Sequence, residues 1–111
     1  MRKITDAYKR WHAQHSQMER LSRYTLGATI DKTFCETIEL VLQAGYTVRE
    51  QKYSVVLRAS SKLDTLKFFL QVAWEIKAID HKKYAAILEP LTEIGKMLGG
   101  WRKQLQNSPL Q

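Results

Sequence analysis

Apolar residues recur every three or four positions along four stretches of this chain, and no short alternating strand pattern bounded by turns stands out. The clearest stretch runs from Tyr84 to Leu105, where Ile87, Leu91, Ile94, Leu98, Trp101 and Leu105 step by four, three, four, three and four. That is the spacing of one face of a helix packed in a bundle. Pro90 lies inside the stretch and removes one backbone hydrogen bond, which predicts a bend. Gly95, Gly99 and Gly100 follow, each at a cost of about 1 kcal/mol against alanine in a helix interior. Gly95 and Gly99 fall on one side and predict close approach of another helix backbone, with Trp101 as a third helix-packing residue; a break at Gly99-Gly100 is the alternative.

Three further segments precede it. The first spans about Thr5 to Gln17, with Ile4, Tyr8, Trp11, His15 and Met18 in register and Thr5 or Asp6 as its cap. The second spans Glu19 or Leu21 to Ala44, with Leu26, Ile30, Phe34, Ile38, Val41 and Gly45 on its inner face, a Lys32–Glu36 pair outside, and Gly45 as its stop. After a polar link over 46–51, the third spans Lys52 to Ile79, with Val55, Ala59, Leu63, Leu66, Leu70 and Ala73 facing inward. Asp80 then caps the fourth.

Short links between long helices favour antiparallel neighbours, so the chain reads as all-α, one up-down four-helix bundle over 1–111 with a frayed tail at 106–111. The third segment has more apolar surface than one core face needs. Phe68, Phe69, Val72, Ile76 and Ile79 cluster away from the direction of Leu66 and Leu70. A subunit interface would bury them; packing beneath the first segment and its Trp11 is the other reading.

Composition sharpens this picture. The chain has 111 residues, enough for a single modest core. Eighteen Lys and Arg face eleven Asp and Glu, a net charge of +7, which predicts attraction to a polyanion such as nucleic acid. The single cysteine, Cys35, allows no intramolecular disulfide. No run approaches the roughly 20 apolar residues of a membrane span, and the Met1-Arg2-Lys3 start lacks a signal-peptide core. A cytoplasmic protein that does not enter the membrane is expected.

Catalytic chemistry is thin. His12 and His15 are one helical turn apart, but His15 belongs to the apolar series with Trp11 and Met18 and reads as a satisfied, half-buried histidine. His81 sits among Lys82 and Lys83, a poor setting for a metal ligand. None of Glu36, Glu39, Glu89 or Glu93 begins the Glu-x-x-His spacing of carboxylate-bridged metal sites. Cys35 reads as packing beside Phe34. No glycine loop follows a strand to cradle phosphate. Neither an enzyme nor a metal or cofactor is expected. The positive signal is basic: Arg20 and Arg23, Arg49 and Lys52 around the central link, Arg58 and Lys62, Lys67 and Lys77, then Lys96, Arg102 and Lys103. Exposed cations of this kind meet phosphates without reading sequence. Tyr24, Tyr46 and Tyr53 are candidates for base stacking or for ordinary packing.

The run Glu93-Ile-Gly-Lys-Met-Leu-Gly-Gly-Trp101 resembles the C-terminal signature of the accessory variability determinant (Avd) proteins of diversity-generating retroelements. Arg23-Tyr-Thr-Leu-Gly27, Leu63-Asp-Thr-Leu-Lys-Phe-Phe-Leu70 and Ala73-Trp-Glu-Ile-Lys77 are similar to that family's middle helices. The small bundle proteins encoded in ribosomal RNA intervening sequences look similar too, and would imply an RNA-associated protein with no polymerase partner. The Avd resemblance implies a four-helix bundle assembled into a basic homopentameric barrel. The resemblance implies that such a barrel binds the element's reverse transcriptase, its template RNA and also DNA, and has no catalytic activity of its own. By the same resemblance Lys67 matches a basic position important for partner binding. Gln71 stands where a second arginine is often found, and Met18-Glu19 where a Pro-basic pair often opens the second helix.

Overall fold

The computed structural model describes residues 2–107, and among them every regular element is a helix. The elements are α1 (Arg2–His15), α2 (Arg20–Tyr24), α3 (Leu26–Tyr46), α4 (Arg49–Glu75) and α5 (His81–Asn107). Residues 108–111, which hold most of the tail expected to fray, lie outside the described residues.

Side-chain contacts fix the register of the four long helices. Tyr8 meets Phe34 while His15 meets Gly27, so α1 runs antiparallel to α3. Lys3 approaches Glu93 while Arg10 reaches the Ala86 carbonyl, so α1 also runs antiparallel to α5. Trp74 stacks on Tyr84 while Lys52 covers Trp101, which sets α4 antiparallel to α5. Only Thr47 and Val48 separate α3 from α4, so that pair folds straight back on itself. The result is an up-down bundle of 53 × 21 × 21 Å.

The helix lengths differ, and this shapes the molecule. At 1.5 Å per residue, the 27 residues of α4 and of α5 reach about 40 Å, whereas the 14 residues of α1 reach about 21 Å. α1 therefore closes only half of the bundle. In that closed half Trp11, Phe34, Ile30, Leu66, Leu70 and Ile87 are fully buried. Tyr8 Oη and Trp11 Nε1 both donate to Asp31 Oδ1, at 2.8 and 3.1 Å, tying α1 to α3 through one carboxylate. In the open half, α3, α4 and α5 continue without a fourth partner. Its core has no buried aromatic: Val41, Ala44, Val55, Val56 and Ala59 pack with Leu40, Ile94 and Leu98, and Leu42, Tyr46 and Val48 stand exposed.

All six inward positions expected on α4 are buried, as are Ile87, Leu91, Ile94 and Leu98 on α5. Trp101 and Leu105 continue the same stripe but are only half-buried, because α1 ends short of them. Asp80 caps α5 as expected, its Oδ1 accepting from the Lys83 amide at 2.8 Å.

Several local expectations are corrected. α1 begins at Arg2, so Thr5 and Asp6 lie inside it rather than capping it. The second segment is two helices, broken at Thr25 (φ −108°, ψ −91°). Gly45 is exposed and inside α3, which runs on to a cap at Thr47; no glycine has positive φ. Ile30, Phe34 and Val41 are buried on α3 as expected, with Leu26 and Ile38 half-buried against the core, and the inner face widens to take in Thr33, Thr37, Leu40 and Ala44. The two buried threonine hydroxyls donate to the carbonyls four residues back, which lets polar residues sit in the core. Glu36 pairs with Lys62 of α4 at 3.3 Å rather than with Lys32. α4 begins three residues earlier than expected, at Arg49, and ends at Glu75 in a Schellman motif. The Lys77 amide bonds the Trp74 carbonyl, and the Ala78 amide bonds the Ala73 carbonyl at 2.8 Å. Lys77 takes the left-handed position (φ 65°) that glycine usually fills.

Candidate functional site

The basic residues do not spread evenly over this scaffold. Segments 40–60 and 94–107, which build the open half, hold Arg49, Lys52, Arg58, Lys96, Arg102 and Lys103 against a single acid, Glu50. Five of the seven net positive charges therefore lie in that half. The rest of the chain nearly balances its charges. The helices produce this concentration because α5 carries no acid after Glu93, and α3 carries no charge after Glu39.

Within the open half, Thr47, Arg49, Lys52, Gln104 and Leu105 line a pocket of about 350 Å³ where the α3–α4 link meets the last turns of α5. Lys52 Nζ sits 4.6 Å from the Trp101 ring centroid, a cation–π contact that holds the ammonium against α5. Gln106 Nε2 donates to Tyr53 Oη at 2.9 Å, bracing the same corner. Arg58, Arg102 and Lys103 are exposed, and Lys96 is exposed with Glu93 4.0 Å away. An array of this kind offers cations to a phosphate chain without base-specific groups.

The other basic residues expected at the site lie elsewhere. Lys62 is half-buried and engaged with Glu36. Lys67 is half-buried between α4 and α5: a methyl group placed on Gly95 would lie 3.4 Å from its Nζ and 3.5 Å from Leu63 Cδ2. Arg20 and Arg23 sit on α2, at the opposite end of the bundle, with their guanidinium carbons 6.0 and 5.2 Å from the Tyr24 ring centroid.

The glycines on α5 do not serve helix packing within this chain. The neighbours of Gly95 are side chains, not a helix backbone, and a methyl group on Gly99 or Gly100 would meet nothing within 4 Å. The helix passes through both without a break. The close approach the sequence missed is at Gly27, where a methyl group would lie 2.8 Å from His15 Cδ2. His15 stacks on Trp11 with ring centroids 5.0 Å apart, and its Nε2 donates to the Arg23 carbonyl at 3.2 Å. A lone glycine between Leu26 and Ile30 of an apolar helical series was the available signal.

The apolar face expected on the third segment is narrower than its sequence implies. Ile79 is buried in this chain, because the turn after α4 folds it back onto the core. Phe69 is half-buried against the core and Val72 is half-buried. Phe68 and Ile76 remain open at 59% and 56% exposure, joined by Leu57, which lies three turns before Phe68 on the same line of α4.

Tyr8, Cys35 and Tyr84 have raised pKa values. Burial is the largest cause for each; for Tyr8 the Asp31 carboxylate adds to it, for Cys35 Asp31 again, and for Tyr84 the charge of Glu75. Cys35 is exposed, yet these effects keep its thiol protonated, away from nucleophilic use. Among the described residues no group of three or more His, Cys, Asp or Glu is arranged to hold a metal ion. No helix there is long and apolar enough to cross a membrane.

No curated protein and no solved structure matches the chain. The bAvd-like family, by contrast, matches residues 1–105, nearly the full length and through both halves of the bundle. The chain thus belongs to the bAvd-like family of diversity-generating retroelement accessory proteins.

Proposed function

We propose that this protein is a non-catalytic, cytoplasmic subunit that holds a reverse transcriptase and its template RNA, with the nascent cDNA, on a basic oligomeric surface. The observation that carries this reading is the charge concentration in the open half, where six cations face one carboxylate. Phosphate neutralisation there is sequence-independent, as suits a protein that must accept a template of any sequence.

Self-association multiplies that field. The exposed Leu57, Phe68 and Ile76 on α4, with Val72 and Phe69 beside them, supply an apolar strip for contact between copies, and family membership favours a pentamer. The open side of Gly99 and Gly100 on α5 suits a second copy's close approach. Lys67 lies at the α4–α5 seam as the first partner-binding residue. Gln71, one turn along, donates to Glu75 and offers no cation.

The test is the native mass of the protein with and without co-expressed reverse transcriptase. The expected result is a multiple of the 13.0 kDa protomer that shifts to a larger complex when the polymerase is present. Lys67→Ala is expected to weaken that shift while leaving helical content unchanged. A lone protomer that neither self-associates nor joins the polymerase contradicts the proposal.

A further inference from the structure

We infer that α2 displays a stacking site for one unpaired nucleobase, built from Tyr24 and flanked by Arg20 and Arg23. The inference rests on the nucleic-acid reading above and adds to it that single-stranded RNA is the preferred ligand at this end.

α2 is unusual in what it leaves out of the core. None of its five residues is buried. Leu21 and Tyr24 are 69% and 67% exposed, and neither joins the hydrophobic core or packs against it. The element is nevertheless firmly held through its backbone. Glu19 accepts from the Leu21 amide at 3.2 Å; the Leu21 carbonyl accepts from both the Thr25 amide and the Thr25 hydroxyl; and the Arg23 carbonyl accepts from His15. His15 in turn is fixed between Trp11 and Gly27. The sequence thus secures a short helix that keeps its two large apolar side chains, Leu21 and Tyr24, out of the core, which points to display.

What it displays suits an unpaired nucleotide. An exposed aromatic face accepts a base by stacking, whatever the base. Both guanidinium groups lie over that ring, their carbons 6.0 and 5.2 Å from its centroid, in cation–π contacts that an incoming base displaces or shares, which frees them for the flanking phosphates. A duplex hides its base faces and could use only the cations.

The experiment is fluorescence anisotropy at low salt with a labelled unstructured 20-nucleotide RNA and with the same strand annealed to its complement. Tyr24 is solvent-facing, so its variants fold. Tyr24→Ala is expected to weaken single-strand binding about five- to a hundredfold, the range for loss of one stacked base, and to leave duplex binding within about twofold. Tyr24→Phe is expected to restore it. If the parent protein binds but Tyr24→Ala weakens neither RNA, or weakens both equally, or if Tyr24→Phe fails to restore binding, the stacking site is overturned and the basic-surface reading stands. If the parent protein binds neither RNA, both readings fall together.

Discussion

The two halves of this bundle share three helices and differ in the fourth. Where α1 is present, the core is filled with Trp11, Phe34 and leucines, and the surface charges nearly cancel. Where α1 is absent, the core holds no fully buried aromatic and rests on Val41, Ala44, Val55, Val56, Ala59 and Leu98, the α5 stripe is half-uncovered at Trp101 and Leu105, and positive charge collects. The closed half is thus the source of stability, while the open half leaves surface for partners. One short helix makes that division.

The largest expected effect of breaking the comparison is in the two tryptophans. Trp11→Ala leaves a cavity at a fully buried site and removes one of the two donors to Asp31, which costs about 3–5 kcal/mol in chemical denaturation and loosens α1. Trp101→Ala, at a half-buried site whose added contact is one cation–π pair, is expected to cost well under half as much. Equal losses would show that the halves do not differ in packing.

Next come two glycines. Gly27→Ala forces a methyl group against His15, itself pinned by Trp11 and the Arg23 carbonyl, and is expected to destabilise the fold by about 1–3 kcal/mol. Gly99→Ala meets open space and removes a flexible residue from a helix interior, so it is expected to stabilise the protomer by up to about 1 kcal/mol. Thermal unfolding of the two variants reads both signs. A Gly99→Ala variant that gains protomer stability but loses its oligomer would place α5 in the contact between copies.

A smaller effect concerns the α1–α3 tie. Burial and Asp31 raise the Tyr8 pKa in the folded state above the ordinary tyrosine value of about 10. Above that pH the unfolded chain releases a proton that the folded chain retains. Stability is therefore complete below about pH 10 and falls as pH rises toward the higher folded value. Tyr8→Phe is expected to flatten this alkaline decline in urea titrations at several pH values. An unchanged slope would remove Tyr8 from the tie's pH response.

Much of this was legible from periodicity. The inner faces of α4 and of α5 up to Leu98 follow from spacing alone, because long amphipathic helices have only one way to bury their stripe. The first segment reads as short, but which stretch of its neighbours it covers is set by contacts such as Arg10 to the Ala86 carbonyl and Lys3 to Glu93, which spacing does not record. The break at Thr25 carries no proline, and the turn after α4 uses Lys77 where glycine would have announced it. Ile79 was therefore read as part of a continuous helix face, when the turn returns it to the core. The basic residues could be named from sequence. Their gathering could not, because the antiparallel order could be expected but not the register that sets Lys52 over Trp101 and so brings Arg49 and Lys52 to the last turns of α5.

The central claim is that the open half is where phosphate binds. The direct test compares two triple variants of equal charge change by salt-dependent RNA affinity: Arg58→Gln/Arg102→Gln/Lys103→Gln in the open half and Lys9→Gln/Lys82→Gln/Lys83→Gln in the closed half, all at exposed positions. The open-half variant is expected to lose at least about tenfold in affinity and to lower the salt slope by about 2, while the closed-half variant stays near the parent. Equal losses from the two halves would contradict the claim.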